Sequence, residues 1–219
     1  MQQLGLDTAL LVLESPVRRR IVERLSKEPA YPLQLSNDLR IGQQLVTKHL
    51  STMEKYGFVT SSLEYSPAGP KRKKYFLAKS LSVTVDLAPN LFSTRVLFFD
   101  SLPRGKVPSL ALSLMSRVER IISSTDDKSR IAPLGELLND VDTEIRELEN
   151  KRAVLLFIRN LAMKEAAGTV ARTEDSIDHR RVLYHMLDEH TSNVNDIVKS
   201  LDLREEDVRK ILADLKGVL

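Results

Sequence analysis

The chain has 219 residues, of which 42% are apolar and 29% are charged, and it contains four histidines and no cysteine. These values are typical of a globular protein with a buried core, and they exclude disulfides, thiolate metal sites and iron–sulfur clusters. The net charge is +3, but residues 1–80 contain 13 Lys and Arg against 7 Asp and Glu, whereas the remainder contains 20 against 23. This basic first third favours a polyanion as the partner of that part of the chain.

Membrane, metal and cofactor sites are not expected. The longest apolar run, Ala153–Ile158, is far shorter than the roughly 20 residues of a membrane span. Residues 1–7 have no basic segment of the kind that begins a secretory signal. The four histidines are scattered along the chain, which does not indicate a metal site. We therefore expect a cytoplasmic protein without a metal, a cofactor or a membrane partner.

Helix signals come first along the chain. Ser15 followed by Pro16 is typical of a helix start, and Gly57 is typical of the residue after a helix. Pro29 and Pro32 interrupt the helical pattern, and Arg40-Ile41-Gly42 is predicted to be a tight turn. Four helices are predicted, over Leu4–Leu13, Pro16–Lys27, Pro32–Leu39 and Gln43–Tyr56.

After Gly57 the period of the apolar residues changes from 3.6 to about 2, which predicts strands. The first two strands flank a turn-rich tip with consecutive basic residues, Ser66–Arg72. Four strands are predicted, over Phe58–Tyr65, Lys73–Lys79, Leu81–Leu87 and Thr94–Phe99.

The rest of the chain is predicted to be helical after a linker over Asp100–Pro108. Ser176 or Asp175 is expected to cap the helix that ends at His190. The predicted helices are Pro108–Ser123, a long helix from Pro133 to about Gly168, a helix that ends at His190, Asn193–Ser200 and Arg204–Leu215.

The long helix has apolar residues at the alternating spacing of four and three that is typical of a coiled-coil seam. Arg152 interrupts the seam, and Val154–Ile158 is apolar all round, so this turn needs a partner to bury it. A second copy of the chain is the favoured partner, and the alternative is packing against Ser109–Ser123. The residues assigned to dimerisation are Leu134, Leu138, Val141, Ile145, Leu148 and Leu155.

The last segment repeats the first at an offset of 162 residues, which predicts a second three-helix core. The third helix of the second copy begins with Arg204 and the carboxylates Glu205, Glu206 and Asp207, which would repel phosphate. The matching pairs are Ile21/Leu183, Leu25/Leu187, Leu35/Ile197, Leu39/Leu201, Ile41/Leu203, Val46/Val208, Leu50/Leu212 and Met53/Leu215.

The sequence predicts a winged helix-turn-helix, because a two-turn helix, a three-residue turn with Gly42 and a longer helix are followed by a basic hairpin. If Val46, Leu50 and Met53 face the core, the polar side chains of Gln43–Ser51 face outward, towards the major groove of DNA. No carboxylate lies between Arg40 and Met53, which favours DNA over an ordinary solvated face. The residues assigned to base reading are Gln44, Thr47 and Lys48, and those assigned to phosphate are Gln43 and Ser51.

Further cations are assigned to the DNA backbone. Lys71, Arg72, Lys73 and Lys74 would lie by phosphates or the minor groove, and the alternative is a solvated basic turn. Two more phosphate contacts are assigned to Arg18 and Arg19. Arg20 has the alternative of pairing with Glu23 or Glu54, and His49 is as well suited to packing as to DNA contact.

Five segments of the sequence resemble a known family. These segments are Ser15–Ile21, Leu35–Leu39, Gly42–Leu50, Met53–Val59 and Pro67–Phe76. Together, over about residues 5–95, they resemble the archaeal branch of ArsR-type winged-helix regulators. The resemblance implies a homodimeric, sequence-specific DNA-binding transcription regulator. Within that branch the chain is similar to sulfur-response regulators, but Lys27 and Ala30 occupy the positions of their redox cysteine pair.

The sequence therefore predicts a mainly α fold with a small β component. A winged helix-turn-helix over residues 1–99 precedes a linker and helical dimerisation region over 100–172 and a degenerate helix-turn-helix module over 173–219. The leading function is a regulator that binds double-stranded DNA as a homodimer, with an effector or a protein partner at the C-terminal module. The alternative is a scaffold that uses its tandem modules for protein contacts. An enzyme is not expected, because no phosphate-binding loop or nucleophile motif is found.

Overall fold

A computed structural model describes residues 5–66, 69–89, 91–102, 105, 107–124, 126–173 and 176–215. The chain divides into two compact units, Met1–Leu87 with Phe92–Gly105 and Ala88–Leu91 with Lys106–Leu219. None of the helices in these ranges combines the length and the apolar composition that a membrane span requires.

The first part of the chain contains four helices and four strands within the described ranges. The predicted bounds of α2 and α3 are confirmed, and α4 ends one residue earlier than predicted. The predicted helix start at Leu4 lies outside the described residues. The elements are α1 (Leu6–Leu13), α2 (Pro16–Lys27), α3 (Pro32–Leu39), α4 (Gln43–Lys55), β1 (Val59–Ser66), β2 (Gly69–Leu77), β3 (Leu81–Ala88) and β4 (Leu91–Phe98).

Local signals explain the helix ends. The Ser15 side chain accepts a hydrogen bond from the backbone N–H of Arg18 at 3.4 Å, and Pro16 occupies the first turn of α2. In the turn between α3 and α4, the left-handed residue is Arg40, with φ 54°. Gly42 has φ −58° and precedes α4 as its N-cap residue.

One apolar core joins the helices to the first hairpin. Phe58, Val59 and Tyr75 from the hairpin are buried against it, and Leu81 and Val83 of β3 pack on it in part. Removing these side chains from water is the main stabilising contribution to this unit. The fully buried members are Ala9, Val12, Ile21, Ala30, Leu35, Val46, Leu50 and Met53.

The β1–β2 hairpin begins its second strand earlier than predicted. β2 begins at Gly69 rather than at Lys73, so Lys71 and Arg72 lie on a strand and not in the turn. The antiparallel register pairs Glu64 with Arg72 and Leu63 with Lys73. The prediction that Lys71 and Arg72 lie in the turn was wrong. It relied on composition, but exposed positions of a two-stranded hairpin also accept charged residues. Pro67 and Ala68 of the predicted tip lie outside the described residues.

The β3–β4 pair is a second antiparallel hairpin. β4 begins at Leu91, three residues before the predicted start at Thr94. The Ser93 hydroxyl donates to the Asp86 carboxylate at 2.8 Å across the two strands. This hydrogen bond helps to hold the first residues of β4, which the prediction had left out of the strand.

The second part of the chain contains five helices in the described ranges: α5 (Ser109–Ile122), α6 (Asp127–Thr173), α7 (Ile177–Glu189), α8 (Val194–Leu201) and α9 (Glu205–Leu215). α6 begins six residues before the predicted start, so Pro133 lies inside the helix. Arg130 stabilises the first turn of α6, because its Nε donates to the Ser124 carbonyl at 2.9 Å and its Nη1 pairs with Asp127 at 2.8 Å. Ser176 caps α7 by accepting from the His179 N–H, whereas Asp175, the other predicted cap, lies outside the described residues.

α5 packs against the first part of α6. Leu137, which the sequence did not single out, is buried there, and Arg117 pairs with Asp140 at 2.7 Å. Leu134 and Val141 are half-buried. Intramolecular packing, the alternative to dimerisation, thus accounts for this part of the predicted seam.

Four of the six predicted seam residues are exposed on the single chain. Leu138 and Leu155 are 61% and 66% exposed, and Ile145 and Leu148 are about half exposed. Val154–Ile158, predicted to be buried by a partner, is also exposed except for its half-buried central residue. Dimerisation through these side chains stays a prediction.

Helices α7, α8 and α9 enclose a second apolar core. Val170 near the end of α6 is part of this core. The other buried members are Val182, Leu183, Ile197, Val208, Ile211 and Leu215.

These three helices repeat the architecture of α2–α4. α8 has the bounds of α3 shifted by 162 residues, and α9 begins where α4 begins with the same shift. The residue after each middle helix is left-handed, Arg40 with φ 54° and Asp202 with φ 53°. α7 begins at an offset of 161 from α2 and ends at an offset of 162, because it is one residue longer.

Both copies also share a hydrogen bond between their first two helices. Arg20 Nη2 donates to the Leu39 carbonyl at 2.8 Å, and Arg181 Nη2 donates to the Leu201 carbonyl at 2.7 Å. In each copy the acceptor is the last residue of the middle helix. The apolar positions, the left-handed residue and this contact therefore recur together in both three-helix cores.

Candidate nucleic-acid interface

The outer face of α4 is polar and exposed. Its orientation is set by Val46, Leu50 and Met53, which are fully buried. The other side chains of the first two turns, apart from the half-buried His49, then face away from the core. All five that were predicted to contact DNA are exposed: Gln43, Gln44, Thr47, Lys48 and Ser51.

Thr47 has a local hydrogen bond. Its hydroxyl donates to the Gln43 carbonyl at 2.9 Å, one turn earlier in α4. This bond satisfies the hydroxyl hydrogen within the helix. The methyl group is then the part of Thr47 suited to an apolar contact.

Leu45 is a residue of this face that the prediction did not include. It is 44% exposed in the first turn of α4, between the exposed Gln44 and the buried Val46. A rotation of about 100° per residue places it outside the stripe of core residues. That departure from the apolar stripe is the signal by which the sequence could have identified it.

Two of the four consecutive cations of β2 are paired with carboxylates. Lys73 Nζ lies 3.6 Å from Glu54 on α4, and Lys74 Nζ lies 3.4 Å from Glu64 on β1. The Ser61 hydroxyl donates to Glu54 at 2.6 Å and thereby fixes this carboxylate between the helix and the hairpin. The Lys73–Glu54 pair joins the hairpin to α4, and the Lys74–Glu64 pair joins its two strands. Both pairs reduce the charge that Lys73 and Lys74 present outward.

Among the residues that the structure describes, the other two cations form no ion pair with a carboxylate. Lys71 Nζ lies 4.5 Å from the centre of the Tyr65 ring, and Tyr65 is strongly exposed. Arg72 stands opposite Glu64 in the register, but within the described ranges it forms no ion pair. Lys71 and Arg72 are therefore the better placed of the four for phosphate.

A hydrogen bond from Tyr31 joins the hairpin to α3. The Tyr31 hydroxyl donates to the Glu64 carboxylate at 2.5 Å. This bond, with a smaller contribution from Lys74, lowers the pKa of Glu64, and it raises the pKa of Tyr31. Glu64 thus stays ionised beside the cations of β2, an arrangement that the sequence did not reveal because the two residues are 33 positions apart.

Arg18 and Arg19 cap the C-terminal end of α1. Arg18 Nε donates to the Val12 carbonyl at 2.6 Å, and Arg19 Nη1 donates to the Leu13 carbonyl at 2.6 Å. Cations at these carbonyls stabilise the helix end. The Arg18 side chain is only 12% exposed, so phosphate contact by these two residues stays a prediction that competes with an observed structural role.

The structure shows which of their alternative roles Arg20 and His49 favour. Arg20 donates to the Leu39 carbonyl rather than pairing with Glu23 or Glu54. His49 is half-buried, and burial lowers its pKa, with smaller contributions from Arg18 and Lys48. The imidazole therefore favours the neutral form, which suits a packing role.

Part of the chain matches a known protein family. Residues 13–62 match the family model described as a helix-turn-helix domain. No curated protein matches the chain. The matched residues contain α2, α3 and α4 and the beginning of β1, that is, the elements whose exposed face is described above. The chain therefore contains a helix-turn-helix domain, which indicates a DNA-binding regulator.

Proposed function

We propose that the chain is a sequence-specific transcription regulator of the archaeal ArsR type. It binds double-stranded DNA as a homodimer on a roughly palindromic operator in the cytoplasm, and it is not an enzyme. The observation that carries the proposal is the exposed face of α4, which has no carboxylate between Arg40 and Met53. The pair of Lys73 with Glu54 joins β2 to α4, so the cations Lys71 and Arg72 of the same strand add to this surface.

The side chains of α4 suit direct reading of bases. Gln44 offers an amide for a bidentate contact to adenine, and Lys48 offers an ammonium for the acceptors of guanine. The methyl group of Thr47 suits the methyl group of thymine, because its hydroxyl is already bonded to Gln43. Gln43 and Ser51, at the edges of this face, are assigned to phosphate.

The exposed leucines of α6 support the homodimer. Leu148 and Leu155 lie seven residues apart on α6, as do Leu138 and Ile145, and all four are exposed. A second α6 would bury these side chains, as in a coiled coil. The two copies of α4 would then read half-sites in successive major grooves about 34 Å apart.

The C-terminal helices are assigned to regulation rather than to DNA. Their architecture supports a degenerate second helix-turn-helix, over the predicted boundaries 173–219. α9 begins with Glu205, Glu206 and Asp207, which stabilise the helix start but repel phosphate. An effector or a protein partner is therefore the expected ligand of this module.

Selection of bound sequences from a random DNA pool tests the function. The Lys48→Gln variant is expected to lose discrimination at one guanine by about 1–3 kcal/mol. Lys55→Gln, the same change at an exposed position near the end of α4, should retain the wild-type sequence preference. Equal binding of all sequences by the wild-type chain would refute sequence-specific reading.

A second pair of substitutions separates the regulator from the scaffold alternative. Lys48→Glu combined with Arg72→Glu places carboxylates on both parts of the interface and should abolish operator binding and regulation. A scaffold that uses its modules for protein contacts would keep its function in this variant.

The homodimer is tested by the molar mass in light scattering, against a chain mass of 24.8 kDa. Leu155→Asp places a charge among the exposed leucines and should yield the monomer. Asn150→Asp adds the same charge at an exposed position outside the seam and should leave the dimer intact. A dimer in both variants would show that another surface joins the subunits.

A further inference from the structure

Glu64 is the one carboxylate in the sequence between Lys55 and Val85, and it lies beside the cations of β2. The Tyr31 hydroxyl donates to this carboxylate at 2.5 Å, and Lys74 Nζ lies 3.4 Å from it. Lys74 Nζ also lies 5.7 Å from the centre of the Tyr31 ring. The side chain of Tyr31 therefore lies beside both members of the ion pair.

A second carboxylate is held in the same way on the opposite face of the hairpin. Lys73 and Lys74 are neighbours in β2, so their side chains point to opposite faces. The Ser61 hydroxyl donates to Glu54 at 2.6 Å, and Lys73 Nζ lies 3.6 Å from Glu54. On each face, a hydroxyl group of the protein thus fixes a carboxylate where it neutralises one cation.

Both ion pairs are accessible to solvent. The side chains of Lys73 and Lys74 are 52% and 28% exposed, and those of Glu54 and Glu64 are 34% and 39% exposed. Accessible ion pairs are weak, so a phosphate group can displace the carboxylate from the cation. The displacement lowers the affinity of the cation for phosphate by up to about fivefold, because the ion pair must be broken first.

We propose that Glu64 and Glu54 limit the affinity of the hairpin for DNA of any sequence, because they compete with phosphate for Lys74 and Lys73. Phosphate contacts carry no sequence information, so every cation that is available to phosphate strengthens binding to any duplex. With two cations neutralised, a larger share of the binding free energy comes from the base contacts of α4. The Tyr31 hydroxyl is a positioning group, because it holds Glu64 beside Lys74.

This inference deepens the proposed function and rests on it, since it concerns the strength of DNA binding at the same interface. The experiment distinguishes the two failures. If the chain does not bind duplex DNA at all, both are refuted. If the chain binds DNA but neutralising Glu64 changes nothing, only this inference is refuted.

Fluorescence anisotropy of the full chain with a labelled random-sequence duplex tests the proposal. Glu64→Gln keeps a hydrogen-bond acceptor for Tyr31 but removes the charge. This variant should bind the duplex about two- to fivefold more tightly than the wild-type chain. Its plot of log affinity against log salt should be steeper by about 0.9 for each bound chain, because Lys74 is then available to phosphate. Unchanged or weaker binding would overturn the proposal, and so would an unchanged slope.

Glu23→Gln is the matched control. Glu23 is an exposed carboxylate of α2, and among the described residues it forms no ion pair with a cation of the hairpin. The control variant loses the same charge but should keep the wild-type affinity and slope. An equal effect in Glu64→Gln and Glu23→Gln would show that net charge, and not the position of Glu64, determines the affinity.

Glu54→Gln is an independent variant on the other face of the hairpin. It should also steepen the slope by about 0.9 for each bound chain, through Lys73. An unchanged slope would refute the role of Glu54.

Tyr31→Phe tests whether the hydroxyl acts through Glu64. Its removal should steepen the slope by less than Glu64→Gln does, because the carboxylate keeps its charge but loses its fixed position. In a chain that already carries Glu64→Gln, the same change should have no further effect on the slope. A further effect there would refute the positioning role of Tyr31.

Discussion

The salt dependence of DNA binding should separate the cations of β2 into two pairs. Lys71 and Arg72 form no ion pair within the described residues, whereas Lys73 and Lys74 lie 3.6 Å and 3.4 Å from Glu54 and Glu64. Each phosphate that a cation neutralises contributes a slope of about −0.9 to the plot of log affinity against log salt. Replacement of Lys71 and Arg72 by glutamine should therefore make the slope shallower by about 1.8 for each bound chain.

This slope corresponds to a measurable difference in affinity. Between about 50 mM and about 200 mM salt, the wild-type chain should lose roughly 12-fold more affinity than the Lys71→Gln/Arg72→Gln variant for each bound chain. Fluorescence anisotropy with a labelled operator at several salt concentrations measures both slopes.

The control is the Lys73→Gln/Lys74→Gln variant, which removes the same charge. Its slope should change by less than half as much, because Lys73 and Lys74 must exchange a carboxylate for a phosphate. Equal changes in the two variants would contradict the role assigned to the ion pairs. An unchanged slope in the Lys71→Gln/Arg72→Gln variant would refute phosphate contact by this hairpin.

Two further predictions concern the stability of the first unit. Leu50→Ala removes a fully buried side chain and should lower the unfolding free energy by about 2–5 kcal/mol in urea denaturation, whereas Leu45→Ala, at an exposed position, should change it by less than about 1 kcal/mol; similar losses would contradict the orientation of α4. The folded chain holds the pKa of His49 below its ordinary value of 6.5, so the unfolded chain takes up the proton first and the unfolding free energy should fall as the pH drops through 6.5. His49→Asn should show a smaller fall in urea denaturation between about pH 7.5 and about pH 5.5, and an identical fall would show that burial of His49 is not its cause.

Local sequence signals determined most of the helices. The bounds of α2 and α3 follow from Ser15-Pro16, Pro32 and the spacing of the apolar residues, all of which act within one or two helical turns. The same spacing predicted that Val46, Leu50 and Met53 are buried, and therefore which side of α4 is exposed. The internal repeat was also visible in the sequence, because apolar spacing is kept when surface residues change.

Contacts between distant residues were decided only by the tertiary structure. The partners of the β2 cations, the bond between Tyr31 and Glu64, and the capping of α1 by Arg18 join elements that composition alone could not pair. Pro133 inside α6 is a similar case, since hydrogen bonds from Arg130 hold the helical turn before it. The physical reason is that a helix is specified by residues a few positions apart, whereas a salt bridge depends on which side chains the folded chain brings within a few ångströms.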